Sequence, residues 1–307
     1  MMCETPDREI RGIFPIAPAT FTKTGEFDYG SYKNALRTLI EGGCHGVTLF
    51  GIAGEYYKLS YEEEIENIKI TVDECKALGA RCVISNTRHS TEVAVKWAKV
   101  IEDSGADCMM VLPPFFLKPG GESLYQHLKE TSSAVSIPVI VQYAPEQTGV
   151  PVHPAIFAKL SEEVPNIAVY KIECKPPGHY ISELLRLTED GINVFIGNAG
   201  FQMIEGFDRG AVGVMPGCSM YDLYLQVYNS YFERNREKAI EVHNILVATL
   251  NHIRQNVEMI IRFEKMILKR RGIIESDYCR RPTHAVDECS LRVFDELYEK
   301  TSQYFVQ

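Results

Sequence analysis

From residue 12 to residue 215, short apolar runs alternate with longer stretches whose apolar positions recur at helical spacing. Residues 12–20 (GIFPIAPAT), 46–50 (GVTLF), 81–85, 107–112, 138–143, 167–171, 193–196 and 213–215 are predicted strands. They are brief, apolar and bounded by turn residues. Helical spacing fills the intervals 29–41, 91–104, 122–135, 154–162, 180–188 and 200–209. Another helix begins at Ser60, which with Glu63 makes a capping-box signature, and runs to residue 78. Gly42-Gly43 is a helix stop. Strands that are apolar throughout imply a parallel sheet covered on both faces. Eight β-then-α units predict a (β/α)8 TIM barrel. The competing architecture is an open doubly wound sheet, but no glycine-rich fingerprint follows the first strand.

The barrel is assigned to residues 10–218. Residues 219–307 are almost wholly helical in pattern, at 221–234, 237–271 and 291–304, and read as a C-terminal helical appendage. No stretch rich in Pro, Gly or Ser separates the two, so the chain is read as one structural unit.

Composition narrows the function. With 32 Lys and Arg against 41 Asp and Glu the formal charge is −9, which disfavours nucleic acid and anionic lipid as partners. A small anionic substrate stays compatible, because local cations and backbone amides can bind it. The nine cysteines form no CxxC pair, and several, such as Cys82 and Cys108, lie in apolar runs. They read as reduced thiols of a cytoplasmic protein. The charged start (MMCETPDREI) predicts no secretory leader, and no run of 18 apolar residues predicts a membrane span.

In a barrel of this kind the chemistry sits at the carboxyl ends of the strands. That rule selects the turns Gly51-Ile52-Ala53-Gly54-Glu55, Gln142-Tyr143, Lys171-Ile172-Glu173 and Gly197-Asn198. Lys171 closes the apolar strand IAVYK. A lysine withdrawn from water tends toward the neutral amine, which can attack a ketone and form an imine. The plain alternative is a surface lysine that ends a strand. The Gly51–Glu55 turn offers close backbone approach and amides that could hold a carboxylate. Equally, it could be an ordinary βα turn with Glu55 capping a helix or paired with a lysine.

Several segments together resemble the dihydrodipicolinate synthase / N-acetylneuraminate lyase family. They are GIAGE with YYKLSYEE, VLPPFFLKP, YAPEQTG, IAVYKIEC and GFDRGAVGVMPG, in family order across roughly residues 10–275. The resemblance implies a class I lyase that forms a Schiff base with a 2-oxo acid through Lys171. It implies no cofactor, and a homo-oligomer, tetramer or dimer. It also implies Gly51, Ile52, Ala53, Glu55, Gly197 and Asn198 as substrate-binding positions, and Gln142 and Tyr143 as the catalytic neighbourhood.

The departures are as informative. The family's proton-relay threonine falls on Ile52, its inter-subunit tyrosine on Phe116, its main catalytic tyrosine on Gln142, and the arginine that binds the second substrate on Gln147. Glutamine cannot ionise and so cannot act as an acid or base. Successive strand residues face opposite sides, so Gln142 and Tyr143 cannot both point inward unless a bulge re-aims Tyr143. The expected chemistry is therefore aldol cleavage or dehydration of a 2-keto-3-deoxy sugar acid, rather than condensation in lysine biosynthesis. True synthase or N-acetylneuraminate lyase activity, and a catalytically silent 2-oxo-acid binder, are the alternatives. Glu55, Glu146, Glu173 and His89 are the candidate proton shuttles. His89 could instead be a capping or loop histidine, and Asn198 a turn residue. No HxH, HExxH or carboxylate-rich cluster supports a metal, so none is expected.

Overall fold

A computed structural model describes residues 10–306. The strands are β1 (Gly12–Ile13), β2 (Gly46–Leu49), β3 (Arg81–Asn86), β4 (Cys108–Val111), β5 (Val139–Tyr143), β6 (Ile167–Ile172), β7 (Asn193–Ile196) and β8 (Gly213–Val214). They form one sheet in the order β1-β8-β7-β6-β5-β4-β3-β2, and the pairs from β3 through β8 are parallel. The ends of that order meet where Ile16 bridges Thr48 in parallel. There the Thr48 amide donates to Pro15 and the Ala17 amide to Thr48, at 2.8 and 2.9 Å. The result is a nearly closed (β/α)8 barrel, as the alternation of the sequence predicts.

By their contacts the described residues fall into two compact units, 10–12 with 81–215 and 13–80 with 216–306. In the first, β3–β8 alternate with α3 (Thr91–Asp103), α4 (Gly121–Ser133), α5 (Pro145–Thr148), α6 (Pro154–Glu163), α7 (Gly178–Leu187) and α8 (Met203–Asp208). Strand β6 shows how the core is built. Tyr170 points outward and its hydroxyl meets Ser161 and the Phe157 carbonyl on α6, at 2.9 and 2.8 Å. The alternation therefore turns Val169 and Lys171 inward. The register of β5 against β6 shifts between Val139 and Ile140. A bulge thus exists, but at the start of the strands rather than at the mouth. Above it Gln142 pairs with Lys171 and Tyr143 with Ile172.

The second unit holds α1 (Tyr29–Glu41), α2 (Tyr61–Leu78), α9 (Tyr221–Phe232), α10 (Arg236–Ile253), α11 (Val257–Arg270) and α12 (Glu288–Ser302). The predicted capping box is formed: Ser60 Oγ accepts from the Glu63 amide, and Glu63 from the Ser60 amide. The helix expected over 237–271 is instead two. Asn256, in extended conformation, caps α11 by accepting from the Met259 amide at 2.8 Å. An asparagine that can satisfy a fresh helix start competes with helix continuation, and an apolar stripe does not reveal this.

Two buried carboxylates of this unit act structurally. Glu55, fully buried, pairs with Lys58 Nζ at 3.0 Å and with Lys265 Nζ. Lys265 also donates to the Tyr278 carbonyl at 3.0 Å. Replacing Glu55 with alanine takes from buried Lys265 its carboxylate and leaves Lys58 with Glu258 alone, at 3.2 Å, and is expected to cost about 3–5 kcal/mol. Equilibrium denaturation should show a lowered midpoint at unchanged slope. Glu264 on α11 accepts from the Ser219 amide at 2.8 Å, while its Oε1 has no partner. Burial holds its carboxyl above the ordinary range. The folded state therefore keeps a proton that the unfolded chain releases, and stability is lost as pH rises above the ordinary carboxylate range. Glu264→Gln should flatten that decline, seen as a smaller fall in Tm between mildly acidic and mildly alkaline buffer.

Candidate active site

Lys171 lies at the carboxyl end of β6 and is 2% exposed, so it is not a surface lysine. Its Nζ stands 3.0 Å from Oε1 of Glu173, the next inward position two residues on. Gln142 Nε2 donates to the same oxygen at 2.6 Å. One carboxylate thus gathers the amine and the amide, and all three residues are buried. Local structure fixes the arrangement. The Glu173 amide continues the ladder to the Tyr143 carbonyl at 2.8 Å, and the Gly197 amide donates to Ile172 at 2.9 Å. The Glu173 side chain lies where a β-carbon on Gly197 would be, so glycine there makes room for the carboxylate.

After Gly197 the backbone takes two successive left-handed residues, Asn198 (φ 51°) and Ala199 (φ 54°). Such conformations cost about 1–3 kcal/mol each for residues other than glycine and concentrate at functional sites. Asn198 is buried, and neither its Oδ1 nor its Nδ2 has a partner. Ser85 on β3 is in the same position: it is buried with an unpartnered Oγ. The register Ser85–Met110, Met110–Ile140 and Ile140–Val169 puts it on the inward face. Buried polar atoms without partners are costly, which marks both residues as ready for a ligand. Ser85 was overlooked in the sequence, although strand alternation from an outward Asn86 would have found it; Asn86 Nδ2 donates to the Ala94 carbonyl of α3 at 2.8 Å.

Other sequence candidates lie elsewhere. Tyr143 turns away from Lys171. Its ring stacks on Tyr180 at 4.6 Å and meets Phe157 edge-on, while its hydroxyl accepts from the Val152 amide at 3.2 Å. Burial raises its phenol above the ordinary value. Glu146 pairs with Lys175 at 2.9 Å on the surface. Cys174, beside Glu173, has its thiol pushed up to about 11 by burial, which keeps it protonated. His89 is exposed and packs edge-on against Phe115 at 4.6 Å. Phe116 is 79% exposed.

In the second unit, Glu55 of the Gly51–Glu55 turn takes the plainer of its two readings and pairs with lysines. A β-carbon on Gly51 would lie 2.7 Å from Ile16 Cδ1, and one on Gly54 2.7 Å from the Ala17 carbonyl oxygen. These glycines allow the turn to pack on the chain that follows β1. Glu55 is spent on Lys58 and Lys265. Ile52 and Ala53 open a single 3-10 turn and are half-buried. Among the described residues no cluster of three or more His, Cys, Asp or Glu could hold a metal, and no helix is long and apolar enough to cross a membrane.

The sequence profile of the dihydrodipicolinate synthetase family matches residues 9–300. The L-2-keto-3-deoxyarabonate dehydratase of Azospirillum brasilense is 26% identical over 283 residues, spanning 91% of this chain and 89% of its own. The 4-hydroxy-tetrahydrodipicolinate synthase of Archaeoglobus fulgidus is 32% identical over 238 residues, 76% of this chain and 80% of its own. Among solved structures, dihydrodipicolinate synthase from Thermotoga maritima superposes with a TM-score of 0.84 at 25% identity, covering 95% of this chain and 98% of its own. YagE, a prophage protein of E. coli K12 solved in complex with pyruvate, superposes at 0.87 with 18% identity, over 96% and 99% of the two chains. At that identity the likeness is one of fold.

Proposed function

This chain belongs to the dihydrodipicolinate synthetase family, and from that premise we propose that it dehydrates a 2-keto-3-deoxy sugar acid through an imine on Lys171, with Glu173 as the proton carrier. It is a lyase of the class I kind, acting on 2-oxo acids. The observation that carries the finer reading is the convergence of Lys171 and Gln142 on Glu173.

The geometry supports each step. Passing one proton from the Lys171 ammonium to Glu173 turns a buried ion pair into a neutral amine and a neutral acid, with no change in net charge. The amine adds to the C2 carbonyl. The acid then returns its proton to the departing carbinol oxygen, which leaves as water, and a protonated imine remains. The imine withdraws electrons, so the Glu173 carboxylate can take a proton from C3 and leave an enamine. The enamine expels the C4 hydroxyl, which departs as a second water carrying that proton. Hydrolysis of the conjugated imine releases the product and restores Lys171. Gln142 holds the carboxylate in place without titrating.

A condensation site of the synthase type lacks support here. The positions of the relay threonine, both tyrosines and the arginine hold Ile52, Phe116, Gln142 and Gln147. Asn198 and Ser85, with their unpartnered atoms, suit hydroxyl groups on the substrate tail. A cytoplasmic homo-oligomer, dimer or tetramer, is the assembly we infer from family membership.

The test is direct. The protein is incubated with five- and six-carbon 2-keto-3-deoxy acids, and the products are followed by proton NMR. A product lighter by one water supports the reading. Release of pyruvate would redirect it to aldol cleavage. Ligand-induced thermal stabilisation with no turnover of any such acid would make the protein a binder and overturn it.

A further inference from the structure

Gly197 touches the Glu173 carboxylate: a β-carbon at this glycine would lie 2.7 Å from Glu173 Oε1. Asn198 is therefore one residue from the proton carrier, and both polar atoms of its buried carboxamide lack partners. Gln202, four residues on, has a buried Oε1 that no donor meets. So does Gln147, on the single-turn helix α5 that follows β5 at the mouth. We propose that Asn198 and Gln147 set the choice of substrate: a 2-oxo acid whose far end is uncharged and carries a hydroxyl at C5, in preference to one that ends in a second carboxylate. The choice presupposes the Lys171 imine and the dehydration it drives.

The unmet atoms call for one kind of group. A carboxamide accepts through its oxygen and donates through its nitrogen, so Asn198 is satisfied by a group that does both. A hydroxyl does both. A carboxylate only accepts, and would leave the oxygens of Asn198, Gln147 and Gln202 unmet; a methyl group would leave the nitrogen unmet as well. A site that bonds a hydroxyl rejects analogues lacking it because its own buried groups are then left unpaired. The carbon concerned follows from the neighbours. Glu173 acts at C3, the C4 hydroxyl is the leaving group, and C5 is the first carbon of the tail that keeps its substituent.

Charge points the same way. Among the described residues of the first unit, Lys171 is the only buried lysine or arginine, and the imine engages it. Gln147 stands where the family carries its carboxylate-binding arginine. A second carboxylate drawn out of water would thus lack a buried cation, which is strongly unfavourable. The backbone at Asn198 also permits a clean test. Its φ of 51° is left-handed, a conformation that asparagine tolerates and glycine adopts freely, so Asn198→Gly removes the carboxamide without straining the turn.

The probes are three five-carbon 4-hydroxy-2-oxo acids, alike through C4 and different only at C5. They carry CH2OH (4,5-dihydroxy-2-oxopentanoate), CH3 (4-hydroxy-2-oxopentanoate) or a carboxylate (4-hydroxy-2-oxoglutarate). Loss of water is followed by proton NMR and expressed as kcat/KM. The dihydroxy acid should exceed each of the others by at least about tenfold. Asn198→Gly should narrow its lead over the methyl acid to within about threefold; a merely structural loss would slow all three acids and keep the ratio. Gln147→Arg should raise the dicarboxylate relative to the methyl acid by about tenfold or more. Equal values for the three acids, a lead for the dicarboxylate, or wild-type ratios in both variants would overturn the proposal. If none of the three loses water, dehydration is the reading that fails. The choice of substrate is then read from the rate of borohydride trapping on Lys171, where the same order of the three acids supports it and equal rates, or no trapping, overturn it.

Discussion

Lys171→Ala should lose all turnover and all covalent capture of 2-oxo acids. Treated with pyruvate and borohydride, the wild-type protein is expected to gain the mass of one reduced pyruvyl adduct, and the variant none. The expectation rests on burial and company. Lys171 is almost wholly out of water, next to a carboxylate that can accept its proton without adding charge to the interior. No other lysine among the described residues of the first unit combines these features: Lys96 and Lys118 are exposed, and Lys99, Lys129, Lys159 and Lys175 are all at least 40% exposed. An adduct that persists in Lys171→Ala would place the nucleophile elsewhere and remove the basis of the mechanism.

Glu173→Gln should separate imine formation from the chemistry that follows. The amide can still donate and accept, but it cannot carry a proton. Dehydration is expected to slow by about 10²–10⁴-fold, the usual worth of a positioned acid or base. The borohydride adduct with pyruvate should still form on long incubation. Glu173→Ala should regain part of the rate when formate is added, because Gly197 leaves a carboxylate-sized space beside the position. A glutamine variant that dehydrates at the wild-type rate would show that Glu173 only holds Lys171 in place. The two variants together distinguish a failed nucleophile from a failed proton carrier.

The barrel was legible because its evidence is spread along the chain. Eight apolar runs with helical spacing between them allow few architectures, and Lys171 is visible as a charge at the end of such a run. The carboxylate beside Lys171 was less legible. Glu173 stood among four acid-base candidates, because sequence spacing cannot say that β6 keeps its alternation to residue 173. Gln142 could be placed beside Lys171 from Pro145 and the resemblance, whereas the direction of Tyr143 needed the position of the register shift. A register shift at Val139–Ile140 leaves the mouth regular, and Tyr143 turns to Phe157 of α6 and Tyr180 of α7. Glu55 shows a different limit. The Gly-x-x-Gly-Glu turn reads either as a ligand cradle or as a plain turn with Glu55 paired with a lysine; the structure has that pairing, with Lys58 and with Lys265, some two hundred residues downstream. The partner of a buried charge is set by tertiary packing, and no local pattern announces it.

The placement of the amine and its carboxylate on one strand bears on how the reaction tolerates motion. Two residues of extended chain span roughly 7 Å, and this covalent tether sets the separation of Lys171 and Glu173. Breathing of the barrel, rearrangement of the loops around it, or loss of a neighbouring subunit would leave that tether intact. A relay assembled from several strands, or from two chains, is only as well aligned as its weakest contact. In the proposed mechanism the proton carrier travels with the nucleophile. The remaining loops at the mouth are thereby released from catalysis, and their residues can change with the substrate while the bond-breaking pair stays as it is.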